Sequence, residues 1–383
     1  GRVPESFEPF LQPDLARSFS RLIEAERGAA SAGRVKAIEA ARNRFYRGDI
    51  AEEMARFSED QGGLLVYEDF AEFAVRVEEP VTAQFRDDTI YTCGPWCQGP
   101  VVAQALQTLE DDDLAALGHN SVDYIHLLSQ ALNLSFADRN AYYGDPDFVD
   151  VPIAELLSRE YTREQRQRID MTRAFEAMPD PGRPSEPAVA APAPAAVAGS
   201  EELDTSFTCV VDRWGNGFAA TPSDALFHSP VVPGLGHIMS GGGSQSWLEE
   251  GHPSKVEPGK RPRLTPNPSM VFRDGRLFMP FGCPGGDAQP QAMVQFSLNV
   301  AEFGMTPQAA VEAPRFTSSN FPNSFWPHTY LPGRLNLEGR IDSKTADALT
   351  ARGHDVRMRS DWEPMSMAAL SAIVVDQEAG TLS

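Results

Sequence analysis

An α+β layered fold is predicted by three features of this sequence. The first 178 residues carry apolar side chains at three- and four-residue spacing, which is a helical period. Beyond a stretch rich in proline and alanine the pattern changes to β-branched and aromatic runs broken by turn residues, which is strand chemistry. Those strands read as hairpins with helices set between them, an arrangement that argues against a parallel βαβ sheet.

The clearest helical stretch is 120–142, where Val122, Ile125, Leu128, Leu132 and Phe136 mark one face and Asn120 or Ser121 stands ready to cap the first turn. It runs into a turn-rich tail, Tyr143-Gly144-Asp145-Pro146-Asp147-Phe148. Segment 179–200 holds prolines 179, 181, 184, 187, 192 and 194 among alanine and glycine, so it reads as an extended, mobile linker. A hairpin follows, with strands at 207–211 and 218–221 around Arg213-Trp214-Gly215-Asn216-Gly217. A second hairpin joins 269–273 to 276–281 through Asp274-Gly275, a pair that favours a type I′ turn. Gly282-Cys283-Pro284-Gly285-Gly286 then leads into a helix over 288–303, with Asp287 expected as its cap. Shorter helices are expected from Thr306-Pro307 to just before Pro314 and over 343–352 with Gly353 as terminator, and final strands over 355–359 and 368–376.

Composition excludes several classes of function. The 383 residues hold 33 basic against 54 acidic side chains, a net charge of −21, whereas phosphate binding needs clustered Lys and Arg, so no nucleic-acid partner is expected. A hydrophobic fraction of 42% is enough for a sizeable core. No apolar run approaches the roughly 18 to 20 residues of a membrane helix, so a soluble protein without a membrane span is expected. The chain opens on Gly1 and shows no signal peptide; its natural start is expected upstream, and the compartment, cytoplasmic or exported, stays open. Cys93, Cys97, Cys209 and Cys283 are too few for a disulfide scaffold. Cys93 and Cys97 are spaced so that they either bridge or remain free thiols, and without a second pair or a nearby His they are not a zinc signature. No metal and no cofactor are expected.

Motifs for metalloproteases, α/β-hydrolases and P-loop enzymes are missing; Gly242-Gly243-Ser244-Gln245-Ser246 fails the nucleophile-elbow pattern at its last place. The scattered histidines read as solvated or structural. A different arrangement draws attention to Thr205, which begins a hairpin strand directly after the linker and Glu201-Glu202-Leu203-Asp204. A hairpin centred on Trp214 sets residue 205 opposite Ser223. A threonine hydroxyl becomes a competent nucleophile when a base stands beside it, and a free α-amine on the same residue is such a base. Cleavage between Asp204 and Thr205 would create that amine; the competing reading is a strand-edge threonine. Gly285-Gly286, between a strand and a helix start, fits either a pocket of two N–H donors for an oxyanion or a tight turn needing positive φ.

At this point the residues resemble a known family. Thr205-Ser206-Phe207-Thr208-Cys209-Val210-Val211-Asp212-Arg213-Trp214-Gly215-Asn216 resembles the start of the small subunit of γ-glutamyltranspeptidases. Gly259-Lys260-Arg261-Pro262, Gly282-Cys283-Pro284-Gly285-Gly286 and Glu312-Ala313-Pro314-Arg315-Phe316 look like its later motifs, in order. Upstream, Phe45-Tyr46-Arg47-Gly48, Gly62-Gly63-Leu64, Ala137-Asp138-Arg139 and the tail at 143–148 resemble its large subunit. The resemblance implies an N-terminal-nucleophile hydrolase with a four-layer αββα sandwich, made as a precursor that cuts itself between Asp204 and Thr205. Residues 1–204 would then be a large-subunit portion and 205–383 the small subunit, interleaved in one domain, with a dimer of such heterodimers as a further possibility. Thr205 would be the nucleophile, Ser223 would stand where the family has a threonine bonded to it, and Gly285 and Gly286 would form the oxyanion hole.

The departures bear on substrate. The family's asparagine for the glutamyl α-amino group falls on Ala225, its Gln and Asp for the same task fall among Gly242, Gly243, Ser244 and Gln245, and its carboxylate-gripping serine pair falls on Leu264-Thr265. Its Pro- and Ser-rich loop reads Gly94-Pro95-Trp96-Cys97-Gln98-Gly99-Pro100, and the segment bearing its carboxylate-binding arginine does not occur here. A zwitterion desolvated without these partners binds poorly. The expectation is therefore an amidohydrolase or acyltransferase acting on a small amide or peptide-like substrate other than a standard γ-glutamyl compound. Leu264, Thr265, Trp96 and Phe227, with Trp247, are the candidates for a more apolar acyl pocket, against burial in the core. The rivals are a genuine γ-glutamyl hydrolase or transpeptidase and an uncleaved, non-catalytic binding protein.

Overall fold

The computed structural model describes residues 4–184, 205–224, 229–363 and 367–383. Asp204, Ala225, Phe227 and most of the proline-rich linker lie outside the described residues. The chain divides into two compact units, Gly1–Val77 with Ala225–Gly241, and Glu78–Asp224 with Gly242–Ser383.

The smaller unit is helical. Helices Pro13–Gly28, Arg34–Tyr46 and Asp49–Asp60 surround a small core in which Ile50, Ala51 and Met54 meet Val232 and Leu235. Ser18 Oγ donates to the Leu235 carbonyl at 2.7 Å, joining the two chain segments of the unit.

The larger unit is built on a five-stranded antiparallel sheet. Strands β1 (Val81–Phe85) and β2 (Asp88–Thr92) come from before the linker. After it come β3 (Thr208–Val211), β4 (Gly217–Ala220), β5 (Ser269–Arg273) and β6 (Arg276–Gly282). They are followed by β7 (Phe316–Ser318), β8 (Arg334–Leu337), β9 (Asp355–Met358), β10 (Ser371–Ala372), β11 (Val375–Asp376) and β12 (Thr381–Leu382). The sheet order is β1-β2-β5-β6-β10, so residues from both sides of position 204 share one hydrogen-bonded layer. The β5–β6 turn has Asp274 at φ +50° and Gly275 at φ +71°, the two positive angles of a type I′ turn.

The first 178 residues are mostly helical, as expected, and the β1–β2 hairpin corrects that reading in part. Its alternation buries Ala83 and Phe85 on β1 and Asp88, Ile90 and Thr92 on β2, and the buried Asp88 carboxylate is met by Arg273 of β5 at 2.7 Å. A second correction concerns strand direction. The small sheet β7-β8-β9 contains one parallel pair, β8 with β9, joined through helix Ser343–Ala351. A βαβ crossover therefore sits inside the hairpin-based fold.

Helix Val122–Tyr142 is buried along nearly its whole length, with Ser121 as its cap, accepting from Tyr124 N at 3.1 Å. With helices Gly99–Thr108 and Ala288–Ala301 it forms a core that joins Val101, Leu106, Leu128 and Phe136 to Phe281, Met293, Phe296 and Phe316. Asp287 makes no side-chain cap bond, contrary to the sequence expectation; its carboxylate turns instead to Arg139 and Ser324. Among the described residues no helix is long and apolar enough to cross a membrane. Cys93 and Cys97 are free thiols; burial holds the Cys97 thiol well above its ordinary value, and a hydrogen bond with Cys97 lowers that of Cys93.

Candidate active site

The β3–β4 hairpin sets the first part of the site. Asp212 locks its turn by accepting from Trp214 N and Asn216 N, both at 2.9 Å, while Gly215 takes φ +82°. That turn fixes the register, with Thr208 opposite Ala220 and Val211 opposite Gly217. The pairing continues outward through Ser206 N to the Pro222 carbonyl at 2.9 Å. Thr205 accordingly meets Ser223, with the two hydroxyl oxygens 2.8 Å apart and both residues half-buried. This is the register expected from the sequence.

The second part is the loop between β6 and helix Ala288–Ala301. Gly285 has φ +132° and Gly286 φ +53°, backbone angles that L side chains rarely adopt. A Cβ on Gly285 would also lie 2.8 Å from that of Ala368. The Gly285 carbonyl turns toward the helix and accepts from Ala288 N at 2.9 Å. In a trans peptide C=O and N–H point oppositely, so the Gly286 N–H faces away from the helix. Among the described residues neither the Gly285 nor the Gly286 N–H has an acceptor, so two donors at a helix start stay available. The Phe207 ring lies over Gly282, which brings the strand that carries Thr205 to the end of β6 that feeds this loop.

The third part is the wall formed by the 94–98 loop and residues 264–265. Leu264 N donates to the Trp96 carbonyl at 2.9 Å, and both side chains remain half-exposed. The Trp96 indole donates to Glu78 at 2.7 Å and carries the Arg261 guanidinium 5.2 Å above its ring. Arg261 is held in turn by Asp145 at 2.9 Å. Burial alone would raise the Asp145 carboxyl, but the bonds from Arg261 outweigh it and leave the carboxyl below its ordinary range. Thr265 is fully buried, and its hydroxyl has no partner among the described residues.

Trp247 does not join this wall. It is 2% exposed and stacked between His252 at 4.1 Å and His328 at 3.8 Å, which makes it core and removes it from the pocket candidates. The sequence places Arg139 only within the Ala137-Asp138-Arg139 motif and gives no role to its side chain, which is buried. Its guanidinium bonds Asp287 and Gln98 and lies against Phe136 and Phe321. The available signal was an adjacent acid and base, Asp138-Arg139, inside an otherwise apolar helix. Among the described residues no cluster of His, Cys, Asp and Glu could hold a metal ion.

Comparison with known proteins adds the lineage. The family model described as gamma-glutamyltranspeptidase matches residues 1–382. The glutathione hydrolase-like YwrD proenzyme of Bacillus subtilis is 31% identical over 99% of this chain and 64% of its own length. The acylase ACY 1 proenzyme of Pseudomonas sp. (strain SE83) is 31% identical over 88% of this chain and 55% of its own length. The chain thus spans about three-fifths of these relatives. A solved structure named LmbA2991HD superposes with a TM-score of 0.91 at 37% identity, covering 100% of this chain and 68% of that one. With a family match over residues 1–382 and a relative 31% identical over 99% of the chain, this protein belongs to the gamma-glutamyltranspeptidase family.

Proposed function

We propose that the chain carries the catalytic centre of a self-cleaving amidohydrolase with an N-terminal threonine nucleophile, on a four-layer αββα sandwich. The observation that carries this reading is the 2.8 Å contact between the Thr205 and Ser223 hydroxyls, at the head of a segment whose sequence resembles the start of the family's small subunit. Asp204 and Thr205 flank the scissile peptide, so residues 1–204 and 205–383 become the large-subunit portion and the small subunit of one precursor. The sheet order, in which β2 pairs with β5 across that point, supports two pieces that stay interleaved after cutting.

In this reading Thr205 Oγ attacks the substrate carbonyl carbon while its proton passes to the Thr205 α-amine. The carbonyl oxygen becomes an oxyanion facing the Gly285 and Gly286 N–H groups, each worth about 3 kcal/mol in such a role. Collapse expels the amine, which takes the proton back from the α-ammonium, and leaves an ester on Thr205. Water, deprotonated by the α-amine, attacks that ester and releases the acid; an amine in place of water gives acyl transfer.

The substrate is proposed to be an acyl amide with an apolar acyl group seated against Trp96 and Leu264. An acylase among the relatives supports this reading, as does the apolar side chain at Leu264 with Thr265 turned inward. Relatives named as glutathione hydrolase or glutathione hydrolase-like proenzymes favour the second reading, a γ-glutamyl substrate. Turnover of a γ-glutamyl anilide beside a panel of acyl anilides separates the two. Faster cleavage of apolar acyl anilides is expected, and a strong preference for the γ-glutamyl compound would replace the first reading by the second.

A further inference from the structure

We infer that Gln98 is a positioning residue that holds the Gly285–Gly286 loop in register with the Trp96–Leu264 wall. The inference rests on the proposed roles of those two features. Gln98 is 1% exposed, and both its amide N–H groups and its amide oxygen are bonded. Nε2 donates to the Gly286 carbonyl at 2.7 Å and to the Thr265 carbonyl at 2.9 Å, while Oε1 accepts from Arg139 Nη1 at 3.0 Å. Two carbonyls face the amide nitrogen and a guanidinium faces its oxygen, so flipping the amide would break all three bonds.

The chain around these contacts makes the residue a cross-brace. Gln98 lies two residues after Trp96, whose carbonyl already accepts from Leu264 N, so the 94–98 loop is fastened to 264–265 at two points. The third bond carries the brace to Gly286. Arg139 closes the frame from behind, because the same Nη1 that holds Gln98 also meets Asp287, the residue after Gly286. Asp287 is fixed further by Ser324, whose N–H and hydroxyl both donate to it at 2.7 Å. Arg139 is 0% exposed and its Nη2 donates to the Pro322 carbonyl at 3.1 Å, so the frame is anchored in the core. Oxyanion donors must stay within about half an ångström of their place, and a shift of about 1 Å costs on the order of a hundredfold in rate. No other side chain among the described residues bonds both Gly286 and residue 265.

Two variants test this. Gln98→Glu keeps the shape and its contact with Arg139 but turns acceptors toward two carbonyls; Gln98→Met fills the space without polar atoms. Each is measured for self-cleavage, for kcat and KM per active site counted from the burst of released amine, and for the ratio of rates on a bulky and a small acyl anilide. The expected result is a fall of tenfold or more in kcat per site, about 1.4 kcal/mol, together with a reduced selectivity ratio. A merely structural role would lower the number of active sites and leave both quantities unchanged, and that result overturns the inference. So does failure of both variants to give folded protein, which would make Gln98 a folding residue. Wild-type protein that is neither cut at Thr205 nor active would instead overturn the proposed function.

Discussion

Replacing Ser223 by alanine removes one atom from the centre of the proposed machinery and leaves the hairpin intact, because strand pairing is carried by backbone bonds from Ser206–Pro222 inward to the turn. The Ser223 and Thr205 oxygens are 2.8 Å apart, an ordinary O–H···O hydrogen bond. Such a neutral bond contributes about 0.5 to 1.5 kcal/mol net. At about 1.4 kcal/mol per factor of ten, aligning the nucleophile through this bond is worth roughly two- to tenfold in rate. Ser223→Ala should therefore lower kcat on an acyl anilide by that factor, with KM unchanged and a melting temperature within a degree or two of the parent. Self-cleavage should slow by a similar factor, since the same hydroxyl performs it. Ser223→Thr returns the hydroxyl and should return most of the rate. A Ser223→Ala enzyme at full rate, or a Ser223→Thr enzyme as slow as the alanine variant, would refute the alignment argument.

Gly285→Ala should be more damaging. It forces a side chain onto φ +132° and to 2.8 Å from the Ala368 Cβ, so a displaced donor is expected to cost roughly a hundredfold or more in kcat; an unchanged kcat would exclude Gly285 as an oxyanion donor. A pH effect on stability is expected from the buried His126–His354 pair, where His126 Nδ1 lies 2.9 Å from His354 Nε2 and His126 Nε2 donates to the Asp170 carbonyl at 2.8 Å. Burial, then His126 and Arg352, hold His354 down at about 3, and burial also lowers His126. A depressed folded-state pKa means that the unfolded chain binds more protons. The stabilisation is present above about pH 6.5 and is lost as pH falls from there toward 3, by up to roughly 1.4 kcal/mol per unit for His354. Urea titrations at pH 7, 6 and 5 should show this slope, His354→Gln should flatten it, and an unchanged slope in that variant would assign it to other groups.

What was legible in the sequence was whatever local chemistry decides. Asp212 and Gly215 make one particular turn, that turn fixes the β3–β4 register, and the register alone brings Thr205 to Ser223. The Asp274-Gly275 turn and the cap at Ser121 were readable for the same reason. Readings failed where distant residues decide. The β1–β2 hairpin has a period-two pattern, but it lies among helices, and its buried Asp88 makes sense only beside Arg273, 185 residues away. Asp287 stands at a helix start yet serves Arg139 instead of the helix. Trp247 looked like a pocket aromatic, but the nearby His252 covers one face and His328, far along the chain, closes the other. Gln98 reaches partners 167 and 188 residues away, and no local pattern marks it.

The claim that most of this depends on is the identity of the new chain end. Denaturing electrophoresis of the purified protein followed by N-terminal sequencing of each band reads it directly. Two fragments are predicted, one of them beginning at Thr205, with Thr205→Ala remaining a single inactive chain. A single full-length band from the parent protein, or a new terminus at any residue other than Thr205, would contradict the account.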